Sequence, residues 1–342
     1  MNYRIDSHKL HFHPKRVVQW READTWEKAK EVFPIYVEIS PAGGCNHSCT
    51  FCAVDYIGYK SRMLDTENLK ETIFEMSGLG VKSVMFAGEG EPLLHQDMDE
   101  INDFSAIHLD TAFTTNGVLL NKLETIDQCT WVRISVNGGT KKTYATIHRT
   151  KDKDWDTVWT NIAKAAIRKG NCALGVQTLL LPEVLPEIQQ LYDRCNDLGV
   201  DYLIVKPYSQ HKFSFTHKYE KDRPDAPDVK ERSCKFIFRE QTYETQSIPN
   251  EKCHATPNFW AYIMASGDVY SCSAYLLDER FRLGNIQTQS FNEIWQGALR
   301  EANWHFVRET IDISECRVNC RMARVNEYLE ELKAGPVGVN FI

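Results

Sequence analysis

Ile35-Tyr36-Val37-Glu38-Ile39 leads shortly into Cys45-Asn46-His47-Ser48-Cys49-Thr50-Phe51-Cys52. The first stretch is a short apolar run that reads as a strand. The second sets three cysteines in a CxxxCxxC arrangement. Three thiolates can hold three irons of a [4Fe–4S] cube and leave the fourth iron open to a cofactor or substrate. Electron-transfer clusters use four cysteines and leave no iron open. An open iron at a strand-to-loop junction means chemistry at the cluster. Three unrelated loop cysteines, or a zinc site short of a ligand, are the other readings of these residues.

Strand-like and helix-like runs alternate downstream. Strands are expected at 35–39, 82–86, 111–114, 131–136, 173–181 and 202–206. Helices are expected at 66–78, capped by Asp65 or Thr66, at 155–170 ending on Gly170, and at 188–198 ending before Gly199. Six β/α units predict an α/β fold, an open, partial (β/α)6 TIM-like barrel, with function at the C-terminal ends of its strands. Residues 209–252 break the pattern with turn-forming stretches such as Asp222 to Asp228, and read as a linker or a substrate-facing segment. The last third carries a second cysteine set, Cys253, Cys272, Cys316 and Cys320, around a hairpin that turns at Gly267-Asp268. Four soft thiolates suit either tetrahedral zinc or a [4Fe–4S] cluster. The expected organisation is an N-terminal extension (1–33), the partial barrel (34–208), the linker or substrate-facing segment (209–252) and a small, cysteine-rich α+β domain (253–342).

Composition bounds the function. The chain has 342 residues, 42% hydrophobic, enough for a real core, and a formal charge of −7. No long Lys/Arg block marks a general nucleic-acid surface. No apolar run is long enough to span a membrane, and the start lacks an apolar signal segment. Eleven cysteines without an export signal point to reduced thiols and metal ligation, hence a cytoplasmic setting.

Ala87-Gly88-Glu89-Gly90-Glu91-Pro92-Leu93, Thr114-Thr115-Asn116-Gly117 and Ile134-Ser135-Val136-Asn137-Gly138 follow the first cysteine set in order. Together with CxxxCxxC, they resemble the radical S-adenosylmethionine (SAM) superfamily over most of residues 34–342. The resemblance implies SAM bound on the cluster held by Cys45, Cys49 and Cys52. Glu89, flanked by Gly88 and Gly90, would take the SAM ammonium. Asn116, Ser135, Asn137 and Gln177 would border the cofactor, with Phe51 near its adenine. The pattern from Cys253 onward, with Leu283-Gly284-Asn285-Ile286 through Trp295, resembles the shortened SPASM domain called twitch. That implies one auxiliary [4Fe–4S] cluster, hence two clusters in all, and a flavodoxin- or ferredoxin-type electron donor.

In such enzymes a 5′-deoxyadenosyl radical abstracts a substrate hydrogen. The expected substrate is a small, carbohydrate-like molecule: a sugar, aminocyclitol or nucleotide-sugar. The expected outcome is net oxidation assisted by the auxiliary cluster. Alternatives are an epimerase of a sugar or peptide with Cys234 as hydrogen donor, a peptide-modifying maturase, and a non-catalytic iron–sulfur interaction protein. Lys206, Tyr208 and Cys234 are the candidate catalytic residues. Glu38, Asp55 and Arg133 are further polar groups expected near strand ends. Cys234 also reads as a buried free cysteine, like Cys129, Cys172 and Cys195.

Overall fold

The strands form at nearly the expected bounds: β1 (Tyr36–Ile39), β2 (Ser83–Phe86), β3 (Asp110–Thr115), β4 (Trp131–Ser135), β5 (Ala173–Leu180) and β6 (Tyr202–Pro207). They lie side by side in chain order, all parallel. The structure, a computed structural model, describes residues 5, 7–239, 252–317, 320–335 and 337–341. Ten helices accompany the sheet among these residues: α1 (Pro14–Glu22), α2 (Trp26–Ala29), α3 (Thr66–Gly78), α4 (Met98–His108), α5 (Lys141–His148), α6 (Asp152–Arg168), α7 (Ile188–Asp197), α8 (Phe291–Trp295), α9 (Ala298–Glu309) and α10 (Ala323–Ala334).

Local chemistry accounts for the elements that the sequence announces. Asp65 caps α3 by accepting from the Asn68 N–H, so the helix starts where expected. α6 buries Trp155, Val158, Trp159, Ile162 and Ala165, a stripe with helical spacing. Each large apolar side chain buried this way contributes about 1.5–3 kcal/mol. Gly170 and Gly199 follow α6 and α7 with positive φ, the conformation that ends a helix.

Two features extend the sheet beyond six strands. β7 (Lys235–Phe238) pairs in parallel with β6, inside the segment expected to be a linker. Phe236, Ile237 and Phe238 form a short apolar run in polar surroundings, too brief to mark a strand without its partner β6. The expected hairpin forms as β8 (Trp260–Ile263) and β9 (Asp268–Tyr270), but β8 also pairs in parallel with β1, Tyr36 opposite Trp260 and Ile39 opposite Ile263. β8 is buried along its whole length, as a central parallel strand requires. β10 (Arg282–Asn285) completes one open ten-stranded sheet in the order β10-β9-β8-β1-β2-β3-β4-β5-β6-β7. The expected C-terminal domain therefore shares the sheet of the barrel rather than building its own. Its end also shares a core with the N-terminal extension: Val17 and Trp20 of α1 pack with Phe259, Trp304 and Leu329.

The sheet curls. In a flat sheet β1 and β6 would lie about 24 Å apart, five strand spacings of about 4.8 Å. Arg321 is hydrogen-bonded to Glu38 on β1 and lines one cavity with Lys206 on β6. The C-terminal strand ends therefore surround a common space.

Candidate functional site

The first cysteine set sits on a loop clamped from below. The last turn of a helix leaves carbonyls without intrahelical partners. In α5 the carbonyls of Ile147 and His148 accept from the N–H groups of Thr50 (2.8 Å) and Ser48 (3.3 Å) in the cysteine loop. At the other end of α5, the Glu187 carboxylate accepts from Gly139 N–H (2.7 Å), Thr140 N–H (3.0 Å) and the Thr143 hydroxyl (2.6 Å). The helix is thus fixed at both ends. It carries His148, which is buried beneath the loop.

His148 is oriented by the backbone. Its Nε2 accepts the Asn137 N–H at 3.0 Å, so in the neutral ring the proton lies on Nδ1, 3.3 Å from Cys49 Sγ. Burial, and then the neighbouring His47, hold the ring's pKa well below the ordinary range, so it is neutral. An Nδ1–H therefore points at a cysteine sulfur. His47, Cys49 and His148 offer ligand atoms within 4.8 Å of one another. That trio does not suit a metal ion of its own, because neutral His148 has no lone pair left for it. The three cysteines are half-buried, and burial pushes their thiols up, Cys45 to about 12. Cys49 is raised further by Cys45 and Cys52, so the three sulfurs are close enough to interact. Three converging, protonated thiols fit a cluster whose irons displace those protons.

The glycine loop after β2 packs directly on the chain entering Cys45. A Cβ on Gly90 would stand 2.1 Å from the Gly44 carbonyl oxygen, and one on Gly88, at φ +117, 2.5 Å from Ser40 Cβ. Only glycine permits this approach. The two glutamates of the loop have different partners. Glu89 accepts from the Arg62 guanidinium (3.1 Å) and the Ala265 N–H (2.8 Å), so it ties the loop to the β8–β9 turn and is already neutralised. Glu91 accepts from the Thr115 hydroxyl (2.5 Å), Asn116 N–H (2.8 Å) and Leu93 N–H (3.2 Å), with no cation among these partners. Burial pushes its carboxyl up to about 7. Glu91 also acts electrostatically on Cys45, and the Asn116 side chain reaches both that thiol and Asn46. The sequence reading passed over Glu91. Its place directly before Pro92-Leu93, across from Thr115-Asn116, was the available signal.

Ser135, Asn137, Gln177, Phe51, Lys206 and Tyr208 do converge. With Cys49, Cys52, Arg239, Arg317 and Arg321 they line a cavity of about 1040 Å³, part of it open to solvent. Asn137 also holds the strand ends together by accepting the Leu179 N–H at 2.7 Å. Phe51 stands edge-on to His148 at 5.7 Å. Tyr208 donates to Gln210 at 2.7 Å. The first part of the segment expected to face substrate closes over the cysteine loop. Asp55 accepts from the N–H groups of Phe215 (3.0 Å) and Thr216 (3.1 Å), and Ser214 donates to the Cys52 carbonyl (3.1 Å). The sequence reading missed Arg239, Arg317 and Arg321. Arg133, on β4, lies over Trp131.

Cys234 is not brought to this cavity. It is buried just before β7, its N–H donating to Asn196 and its carbonyl accepting from Tyr192. Tyr202 pairs with Lys235, so Cys234 lies at the N-terminal end of the sheet, about 16 Å of strand from the level of Lys206. Burial pushes its thiol up to about 12. It resembles Cys195, its neighbour on α7.

The structure brings the second cysteine set together. Cys253, Cys272, Cys316 and Cys320 line one cavity with Tyr275, Phe281, Val307, Ile311 and Ile313. Burial pushes Cys253 up to about 11 and raises Cys272 well above the ordinary thiol range, with Cys320, Cys253 and Cys316 adding to the latter. Tyr275 Oη lies 3.2 Å from Cys316 Sγ, and the Asn326 amide donates to Cys253 Sγ at 3.7 Å. Four thiols around a single apolar cavity are a donor set that fits an iron–sulfur cluster. Arg317 lines both cavities.

Two family models cover the stretches that contain these cysteines. Residues 39–195 match the radical SAM superfamily, and residues 253–321 match an iron–sulfur cluster-binding domain, SPASM. GTP 3',8-cyclase of Chlorobaculum tepidum is 27% identical over 197 residues, which is 54% of this chain and 57% of that protein. The chain thus spans little more than half the length of this curated relative. Streptococcus suis SuiB bound to precursor peptide SuiA has a similar fold, with a TM-score of 0.64 at 16% identity, covering 95% of this chain and 77% of that one. So has anSMEcpe with bound AdoMet and a peptide, with a TM-score of 0.60 at 17% identity, covering 88% and 95%. These structures overturn the carbohydrate-like partner expected from the sequence: the substrates held in them are peptides. The expectation rested on seeing no added domain to grip a peptide, a weak argument when the cavity itself is wide and partly open. No helix among the described residues is long and apolar enough to cross a membrane. With three thiols on the loop after β1 and four around the C-terminal cavity, the chain belongs to the radical SAM superfamily and carries a SPASM-type domain that binds iron–sulfur.

Proposed function

We propose that this protein is a radical SAM enzyme that modifies a residue of a peptide by removing a hydrogen atom from it. The observation that carries the reading is the common cavity. Cys49 and Cys52 border it on one side, and Arg317, which also lines the four-cysteine cavity, borders it on another. The peptide-bound relatives of the same fold support the substrate class.

Cys45, Cys49 and Cys52 hold one [4Fe–4S] cluster, and Cys253, Cys272, Cys316 and Cys320 hold the auxiliary one. When bound, these groups and SAM supply a 5′-deoxyadenosyl radical, with an electron sink beside the cavity that suits net oxidation. The chain's own residues do the positioning. Glu91, a buried carboxylate hydrogen-bonded only by neutral donors, receives the SAM ammonium as its missing counter-ion. Glu89 braces the loop that presents it. Phe51, Ser135 and Gln177 would border the cofactor, and Asn137 holds the ends of β4 and β5 together at the cavity. His148 donates its Nδ1–H to Cys49. The 211–219 segment excludes water from the cysteine loop.

The test is anaerobic reconstitution with iron, sulfide and SAM, followed by reduction in the presence of a tryptic digest of a uniformly deuterated proteome. Deuterium should appear in 5′-deoxyadenosine. Transfer only from a peptide-free fraction of deuterated metabolites would reject the peptide reading.

A further inference from the structure

We propose that the cavity binds its substrate through an anionic group, a carboxylate of the peptide, gripped by Lys206 and Arg317. Naming a peptide carboxylate rests on the reading above; the anion itself does not.

Four cationic side chains line the cavity, Lys206, Arg239, Arg317 and Arg321, and no acidic side chain does so among the described residues. Among the described residues, the nearby acids Glu38 and Asp55 are engaged elsewhere. Glu38 binds Arg321 and Tyr36, and Asp55 binds the 215–216 backbone. The Lys206 side chain has no ion-pair or hydrogen-bond partner among the described residues. It ends β6 at the cavity wall, surrounded by the guanidinium groups of Arg239, Arg133, Arg317 and Arg321. Burial first, and then these four like charges, drive its pKa well below the ordinary lysine range, and an anion bound beside it would favour the charged form. Such crowding is unfavourable on its own. An anion among these groups turns the repulsion into several charge-assisted hydrogen bonds.

SAM brings a single carboxylate and, with its ammonium and sulfonium, a net positive charge, so at most one of these basic side chains would pair with it and the others are left for a substrate anion. The thiolates of the first set lie after β1, and Cys49 already has a donor in His148. Arg317 is held in a fixed direction through the Ser209 hydroxyl (3.3 Å) and carbonyl (3.4 Å). A guanidinium so fixed presents a planar fork suited to a carboxylate or phosphate. The anchor would hold the substrate in the same cavity as Phe51 and Cys52, where the hydrogen is taken.

The experiment is isothermal titration calorimetry on the reconstituted, SAM-loaded protein with four probes: inorganic tripolyphosphate, GTP, a capped alternating Ala-Glu hexapeptide and its Ala-Gln counterpart. Tripolyphosphate should bind, and the Ala-Glu peptide should bind at least about tenfold more tightly than Ala-Gln. Lys206→Met and Arg317→Gln, with iron content and SAM binding retained, should each weaken both anions about tenfold. Lys206→Arg should restore binding and so separate charge from packing. No binding of any anion, or affinities unchanged in both variants, would overturn the proposal. Binding of tripolyphosphate or GTP without discrimination between the peptides would keep the anion site and reject the peptide carboxylate.

Discussion

The two cysteine sets occupy opposite environments. Three thiols on the loop after β1 border a wide, partly open cavity walled by Ser135, Asn137, Gln177 and four cations. Four thiols in the C-terminal region surround a cavity walled mainly by apolar groups such as Phe281, Val307, Ile311 and Ile313. Ligand number and surroundings vary together. A cluster short of one ligand needs polar space for whatever completes it. A fully ligated cluster is best served by apolar shielding, which keeps solvent and competing ligands away. On the proposed function, one set would react and the other would stay closed.

The largest effect comes from removing each set in turn. Replacing Cys45, Cys49 and Cys52 together by alanine should leave about four irons per chain of an expected total of about eight, and reduce SAM cleavage to background. Replacing Cys253 and Cys272 should also cost about four irons, yet leave reductive SAM cleavage without substrate measurable. Iron assays and quantification of 5′-deoxyadenosine read both outcomes. Stoichiometric zinc in the C-terminal set would break the comparison, because that set would then have no part in electron transfer.

The glycine loop sharpens it next. Glu89→Gln keeps an acceptor for Ala265 but loses the charge facing Arg62. It should destabilise the chain by about 2 kcal/mol in chemical denaturation, and leave SAM affinity of the folded variant unchanged. Glu91→Gln should instead weaken SAM binding about tenfold, since it removes the carboxylate that lacks a cation. The reverse pattern would return the cofactor contact to Glu89.

Much of this was legible in the sequence, for reasons that differ from element to element. α3 announces itself through Asp65 and the spacing of Leu69, Ile73 and Met76, all local signals. Both cysteine sets were legible because thiols at fixed spacing have few other uses. The pairing of β8 with β1 was not, because it joins residues more than two hundred positions apart with no local mark. Glu89 and Glu91 illustrate a finer limit. They lie two residues apart on one loop, and only the folded partners, Arg62 for one and Thr115 with Asn116 for the other, decide which carboxylate keeps its charge unpaired. Arg317 and Arg321 were overshadowed by the cysteines beside them, and the cavity they line becomes visible only when the sheet curls. His148 carries no motif at all; its role arises from the Asn137 N–H that sets its tautomer.

That histidine gives a prediction of intermediate size. An N–H donated to a ligand sulfur favours the reduced, more negative cluster. His148→Phe keeps the aromatic packing on Tyr144 and removes the donor to Cys49. The reduction potential of the first cluster should fall by about 60 mV, equivalent to about 1.4 kcal/mol of differential hydrogen-bond strength. The second cluster should not shift. An EPR-monitored redox titration of the SAM-free protein separates the two. Equal shifts in both clusters would mean a general structural disturbance rather than a lost hydrogen bond.

The smallest effect belongs to Cys234. A hydrogen-donating thiol must reach the substrate radical, but this one lies at the N-terminal end of the sheet, packed near Cys195 and away from the common cavity. Its backbone, not its sulfur, makes the hydrogen bonds to Asn196 and Tyr192, and those survive substitution. Cys234→Ala should therefore cost about 1 kcal/mol of stability through lost packing and leave SAM cleavage and product formation unchanged. The discriminating measurement is turnover in D2O. If the wild-type product carries one solvent-derived deuterium at an inverted carbon, and Cys234→Ala abolishes that product while still consuming SAM, the thiol reaches the cavity after all. The separation between the two ends of β6 would then have to close during turnover, and the site would be larger than the cavity that the cysteine loop and the four cations now define.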